Sequence, residues 1–194
     1  MKLPTEAVSR FEQGMQMAWE AGEIEPTSMS LATSAGPDTL SVRTVLIKSF
    51  DDEGFVFYTN THSRKGQQLA QNPHAALSVH WKSTVQQVLA EGTVEPVTDA
   101  EADVYFASRD RGSQIGAWAS LQSEVLDCRG TLEQRVAEYT QKFADANIPR
   151  PPHWSGYRLR PEMIEFWYGK ESRLHDRFRF TLKNDDWTRQ RLYP

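Results

Sequence analysis

From Met29 onward the chain is cut into short runs rich in Val, Leu, Phe and Thr, and this spacing constrains the fold more than any other feature. The runs cover residues 29–33, 40–50, 55–60, 75–81 and 86–94. Each has strand length, and Ala35-Gly36-Pro37-Asp38 and Asp51-Asp52-Glu53-Gly54 between them read as hairpin turns. Further strands are expected at 156–159, 163–168, 173–182 and 187–192, the last after an Asn184-Asp185-Asp186 turn. Helices enter as bridges. Val8, Phe11, Met15, Ala18 and Trp19 predict an amphipathic helix over about 4–21. Ser63 to Asn72 reads as a short helix stopped by Pro73, which cannot continue the hydrogen-bond ladder. Thr98-Asp99-Ala100-Glu101 has the pattern of a capping box opening a helix to about Ser108. Thr131 opens another to about Asn147, with Leu132, Val136, Tyr139 and Phe143 as its buried stripe. Strands in consecutive hairpins, with helices not alternating one for one, indicate an antiparallel α+β barrel or sheet. The 194 residues, 39% hydrophobic, suffice for one good core and a single domain over 1–194, with the barrel and bridging helices from about 29.

A net charge of −4 argues against a surface built for nucleic acid, so local basic clusters stand out. Cys128 is the only cysteine, which excludes an intrachain disulfide and a cysteine-based metal site and fits a reducing, cytoplasmic compartment. Its expected role is structural. The five histidines match no metal-ligand spacing, so no metal is expected, and no run of 18 apolar residues suggests a membrane span. Phosphate-loop, G-x-G-x-x-G and G-x-S-x-G patterns are missing.

Three basic clusters carry the chemical argument. In Arg173-Leu174-His175-Asp176-Arg177-Phe178 an extended backbone would send Arg173, His175 and Arg177 to one face, a surface suited to a phosphate or an electron-rich ring. A solvated edge strand salted with Asp176 and Glu171 is the other reading. Arg43 and Lys48 lie five apart on one run and can share a ligand only if the strand twists, bulges or ends between them. Ser63-Arg64-Lys65 places cations at a helix start, where an anion bound to the free N–H groups would remove the electrostatic conflict. Tyr105, Arg109, Arg111 and Ser113 offer a second oxyanion cradle, read as a helix end and a Gly-containing loop; an Arg simply placed against the helix dipole is the alternative. Gln87, Gln122, Ser123, Trp167 and Tyr168 supply uncharged or aromatic groups suited to the edge of a heterocycle.

Taken in order, RTVLIK, FYTN-x-x-SRK, QQV, YFASR-x-x-x-SQIGAW, QS, IEFW, RLHDRF and W-x-x-x-RL-x-P resemble the pyridoxine/pyridoxamine 5′-phosphate oxidase family from about residue 5 to the last residue. The resemblance implies a split β-barrel homodimer with two FMN molecules at the subunit interface, each lined from both chains. It implies FMN contacts from Arg43, Lys48, Tyr58, Thr59, Arg64 and Lys65, and from Gln87, Gln122, Ser123, Trp167 and Arg177. Substrate contacts would come from Lys48, Tyr105, Arg109, Ser113, Arg173 and His175, the last two catalytic by holding the pyridine ring over the flavin. The implied reaction oxidises pyridoxamine or pyridoxine 5′-phosphate to pyridoxal 5′-phosphate, with hydride passing to FMN and O2 giving hydrogen peroxide. Many relatives close the site with an N-terminal arm bearing an Arg and a Tyr; Met1 stands just before the first helix, so a lid is expected from elsewhere, or else a more open site. Two rivals are a split-barrel flavoprotein with another substrate, such as the oxidases of phenazine biosynthesis, and a non-enzymatic barrel that stacks nucleobases.

Overall fold

Ile47 and Lys48 alone join the two ends of one sheet, and this link rolls the sheet up. The structure, a computed structural model, describes residues 2–194. Its strands are β1 (Ser28–Thr33), β2 (Ser41–Leu46), β3 (Ser49–Asp51), β4 (Gly54–Asn60), β5 (His74–Trp81), β6 (Gln86–Pro96), β7 (Trp154–Tyr168), β8 (Asp176–Lys183) and β9 (Asp186–Leu192). All pairings are antiparallel, in the order β2-β1-β5-β6-β7-β4-β3, with β8 on β7 and β9 on β8. Seven flat strands at the usual spacing would put β2 and β3 about 29 Å apart. The link reaches about 11 Å at most. The sheet therefore curls, and the seam is held where Lys48 N–H donates to the Val56 carbonyl at 2.8 Å. This is the expected antiparallel split barrel.

Helix α1 (Thr5–Glu20) plugs the barrel with Phe11, fully buried against Phe50, Phe55 and Trp81 at centroid distances of 4.4, 5.1 and 5.6 Å. Burying such a ring contributes about 1.5–3 kcal/mol. The inward stripe differs from the one expected: Ala7, Phe11, Gly14 and Ala18 are buried, whereas Trp19 is 68% exposed. Helix α2 (Arg64–Gln71) ends before Pro73 as predicted, and α3 (Asp99–Ser108) opens with both arms of the Thr98/Glu101 capping box formed.

Four expectations need correction. The run 40–50 is two strands, because β2 stops at Leu46. The two strands expected at 156–159 and 163–168 are one; Pro161 is tolerated because the ladder shifts register at Glu91/Gly92 opposite it, where no N–H is required. Residues 111–119 form helix α4 (Arg111–Ala119), capped by the Asp110 side chain on Ser113 N–H, where a loop was expected. Helix α5 (Arg129–Lys142) starts before Thr131 and ends well short of Asn147, and it buries none of its residues, since it packs on α4 outside the sheet; of the expected stripe only Phe143, just past its end, is buried. Cys128 is exposed at its N-cap.

Candidate functional site

Where β2 ends, its neighbour β4, α2, α3 and α4 leave a cleft of about 780 Å³, in the size range of small-molecule sites. Five cations line it, Arg43, Lys48, Arg64, Lys65 and Arg109, and its lining contains no carboxylate. The break in the strand at Leu46 resolves the spacing problem of Arg43 and Lys48, which both reach this cleft.

Two of these cations, Lys65 and Arg43, are held by neutral groups. Lys65 is 6% exposed, and its ammonium donates to Thr59 Oγ1 at 2.9 Å, Ser63 Oγ at 3.3 Å and Gln122 Oε1 at 3.4 Å. Burial, with Arg43 adding repulsion, pushes it down to about 8 from an ordinary 10.5. Arg43 donates to the Leu31 carbonyl at 2.9 Å, to Thr33 Oγ1 at 2.6 Å and to Ser41 Oγ, and burial and then Arg64 lower its pKa. Ser63 caps α2 by accepting from Gly66 N–H. Gly66 must lack a side chain: a Cβ there would stand 2.1 Å from the Thr61 carbonyl oxygen.

At the adjoining end, a smaller pocket of about 350 Å³ is lined by Lys48, Tyr58, Tyr105, Arg109, Ser113 and Trp154 among others. Tyr58 stacks on Tyr105 at 4.0 Å and on Trp154 at 5.2 Å. Gly156 opens the space for Tyr58, since a Cβ would lie 2.6 Å from its ring. The Arg109 guanidinium lies over Trp154 at 4.9 Å and Phe106 at 5.7 Å. Its buried Nη1 has no hydrogen-bond partner, and burial lowers its pKa. Such a group is poised for an anion. Arg111 does not join this cradle, because it caps the end of α5 by donating to the Phe143, Ala144 and Ala146 carbonyls.

Comparison with known proteins decides the family. The sequence pattern described as pyridoxamine 5′-phosphate oxidase matches residues 15–143, and that of the pyridoxine 5′-phosphate oxidase C-terminal dimerisation region matches 154–194. The chain belongs to the pyridoxamine 5′-phosphate oxidase family. A pyridoxine/pyridoxamine 5′-phosphate oxidase from Myxococcus xanthus is 51% identical over 99% of this chain and 93% of its own length. One from Alkalilimnicola ehrlichii is 50% identical over the full length of both. The crystal structure of PhzG from Burkholderia lata 383, in complex with tetrahydrophenazine-1-carboxylic acid, superposes with a TM-score of 0.93 at 32% identity, covering 98% of this chain and 94% of that one.

Of the residues that the oxidase family implies, Arg43, Lys48, Tyr58, Thr59, Arg64, Lys65, Gln122 and Ser123 all line the large cleft, together with Arg109 and Ser113. Tyr105 lines the adjoining pocket. Gln87, Trp167, Arg173, His175 and Arg177 line neither. Gln87 and Trp167 are cross-strand partners that alternate with buried Gln86, Val88 and Phe166, so they project from the outer face of the sheet. His175 packs against Trp167 with centroids 4.5 Å apart and the rings tilted by 47°, and its Nδ1 accepts from Lys170 N–H at 3.1 Å. The expected extended run from Arg173 is absent: Glu171–Arg173 is a 3-10 turn, with Ser172 and Arg173 at φ of 56° and 62°, and β8 starts at Asp176. Alternation therefore does not align Arg173, His175 and Arg177. Sequence reasoning missed Trp154, which carries Arg109; an aromatic after Pro151 and Pro152 gives no periodic signal.

Proposed function

We propose that this chain is an FMN-dependent pyridoxine/pyridoxamine 5′-phosphate oxidase in which the acid-free cationic cleft takes the phosphate of the cofactor, and the adjoining Arg109 pocket, whose lining includes Asp110, takes that of the substrate. The observation that carries the reading is Lys65, buried among cations and neutral acceptors with no carboxylate in the cleft. A protein of net charge −4 has acids to spare, so their exclusion here marks a site whose counter-charge arrives with a ligand. The residues present fit FMN: cations for its phosphate, and Gln122 and Ser123 for its uncharged ring, with Gln87 and Trp167 to come from a second copy.

Bound FMN supplies hydride acceptance from the exocyclic carbon of the substrate and electron transfer to O2, giving hydrogen peroxide and pyridoxal 5′-phosphate. The work of the protein is placement. Arg43, Arg64 and Lys65, with Thr59, hold the cofactor phosphate, while Arg109, Tyr105 and Ser113 hold that of the substrate. Lys48 stands between the two pockets and faces both. Arg173 and His175 orient the pyridine ring. Because Nδ1 of His175 accepts from Lys170, the neutral ring carries its proton on Nε2 and presents it as a donor. Fixing both reactants converts an encounter into a positioned transfer.

The C-terminal segment matches the family's dimerisation region. We read the outer-face group of Gln87, Trp167, Arg173, His175 and Arg177 as completing the cleft of a second copy, so that each FMN lies at the subunit interface. The buried core runs from Leu3 to Phe180 and draws on both matched segments, which supports one domain. Among the described residues no helix is long and apolar enough to cross a membrane. The lone cysteine suits the cytoplasm.

The test is the visible spectrum of the purified protein before and after anaerobic addition of pyridoxine 5′-phosphate. A yellow protein that bleaches, and releases peroxide on admitting air, is expected. A yellow protein that does not bleach would move the reductant to another class, such as that of the phenazine enzyme; a colourless one that takes up no FMN would end the proposal.

A further inference from the structure

Glu165 stands on the outer face of the sheet, where strand alternation ordinarily exposes a carboxylate, yet it is 2% exposed. Its Oε1 accepts from Arg177 Nε at 2.8 Å and lies 2.7 Å from Arg177 Nη2 in an ion pair, and its Oε2 accepts from Arg179 Nε at 3.0 Å and Nη2 at 2.8 Å. The β7/β8 register places Glu165 opposite Arg179 and Trp167 opposite Arg177, so Arg177 reaches diagonally past its own partner to this carboxylate. Its Nη1 donates to the Tyr193 carbonyl at 3.0 Å. Two of the five guanidinium N–H groups are thereby hydrogen-bonded, and the planar fork gives the others a defined direction. A buried carboxylate between two arginines is an expensive way to hold strands together, since an apolar trio of similar volume serves stability as well or better.

We propose that Glu165 is a positioning residue for the cofactor: it locks the Arg177 guanidinium so that the remaining N–H groups meet FMN without reorganisation. This rests on the reading that Arg177 holds FMN. Arg179 fills the second oxygen of the carboxylate and shields it, and has no part in the cofactor contact.

The experiment uses the full-length protein stripped of FMN and titrated with FMN, followed by quenching of flavin fluorescence. Arg177→Ala is expected to raise the Kd about 30-fold, the loss of one charge-assisted contact. Glu165→Gln, which keeps the shape but not the charge that holds both arginines, is expected to raise it about 5- to 10-fold. The double variant should bind no more weakly than Arg177→Ala alone, because Glu165 acts only through Arg177. Arg179→Ala should stay within about twofold of the parent. If Glu165→Gln leaves the Kd unchanged while Arg177→Ala raises it, or if the two losses multiply, the positioning role is overturned. An unchanged Kd in Arg177→Ala instead removes the underlying assignment of Arg177. Should Glu165→Gln fail to fold, Arg177→Lys removes the planar fork that Glu165 orients while keeping the charge; an unchanged Kd there overturns the inference equally.

Discussion

The arginines and lysines of the cleft and those of the outer sheet face are treated in opposite ways. In the cleft, Lys65 and Arg43 meet only hydroxyls, a carbonyl and Gln side chains, and Arg109 rests on two rings with a buried N–H unbonded. On the outer face Arg177 and Arg179 share Glu165. A buried cation without a counter-charge raises the free energy of the empty protein, and an arriving phosphate relieves it. A paired arginine is already stable and contributes orientation. The first region stores affinity, and the second stores geometry.

The largest effect should come from removing that stored affinity. Lys65→Met is expected to weaken FMN binding about 100-fold, the loss of a charge-assisted phosphate contact worth about 2–3 kcal/mol, while raising the thermal midpoint of the FMN-free protein. Fluorescence titration and thermal unfolding read the two together. A lowered midpoint would put the cleft in the same class as the outer face, where Arg179→Ala should destabilise by leaving Glu165 half-paired. Next in size, Arg173→Ala or His175→Ala should lower kcat by about 10- to 100-fold with FMN retained; release of FMN from either variant would transfer these residues from ring orientation to cofactor binding.

The sequence carried the architecture and the cleft unequally. Two-residue alternation, the Thr98/Glu101 box and Pro73 each have a local cause and each marks its element. Helix α4 was hidden because Gly112 and Gly116 lower helix propensity, although Asp110 three residues before Ser113 was a usable cap signal. The turn at Ser172 and Arg173 was hidden for another reason: both take left-handed backbone without a glycine or asparagine to announce it. Arg64 and Lys65 were legible as an anion site because cations at a helix start are locally unfavourable, whereas Arg43 joins them only through the fold. Glu165 was not, since its burial depends on arginines 12 and 14 residues further on that only strand pairing brings across.

A smaller effect separates the two ends of the cleft itself. Arg109→Ala should raise KM for the phosphorylated substrate about 10- to 30-fold and leave the FMN Kd unchanged. Trp154→Leu, which removes the ring beneath the guanidinium, should act in the same direction by about three- to fivefold, the worth of one partly desolvated cation–π contact. Equal loss of FMN in either variant would merge the two pockets into one phosphate site.

The gentlest probe is pH, which alters Lys65 without changing a side chain. In the free protein its pKa is about 8, against an ordinary 10.5 in the unfolded chain. Between those values the unfolded chain binds the extra proton and the folded protein does not, so the stability of the FMN-free protein rises with pH across that window. Binding shows the reverse slope. A phosphate beside Lys65 favours the ammonium, so above about pH 8 each bound FMN must bring a proton with it, and affinity should fall up to about tenfold per pH unit. Both slopes belong to one amine, so both should vanish in Lys65→Met. A slope of FMN affinity that survives in Lys65→Met would show that the titrating group lies elsewhere and that Lys65 remains charged throughout.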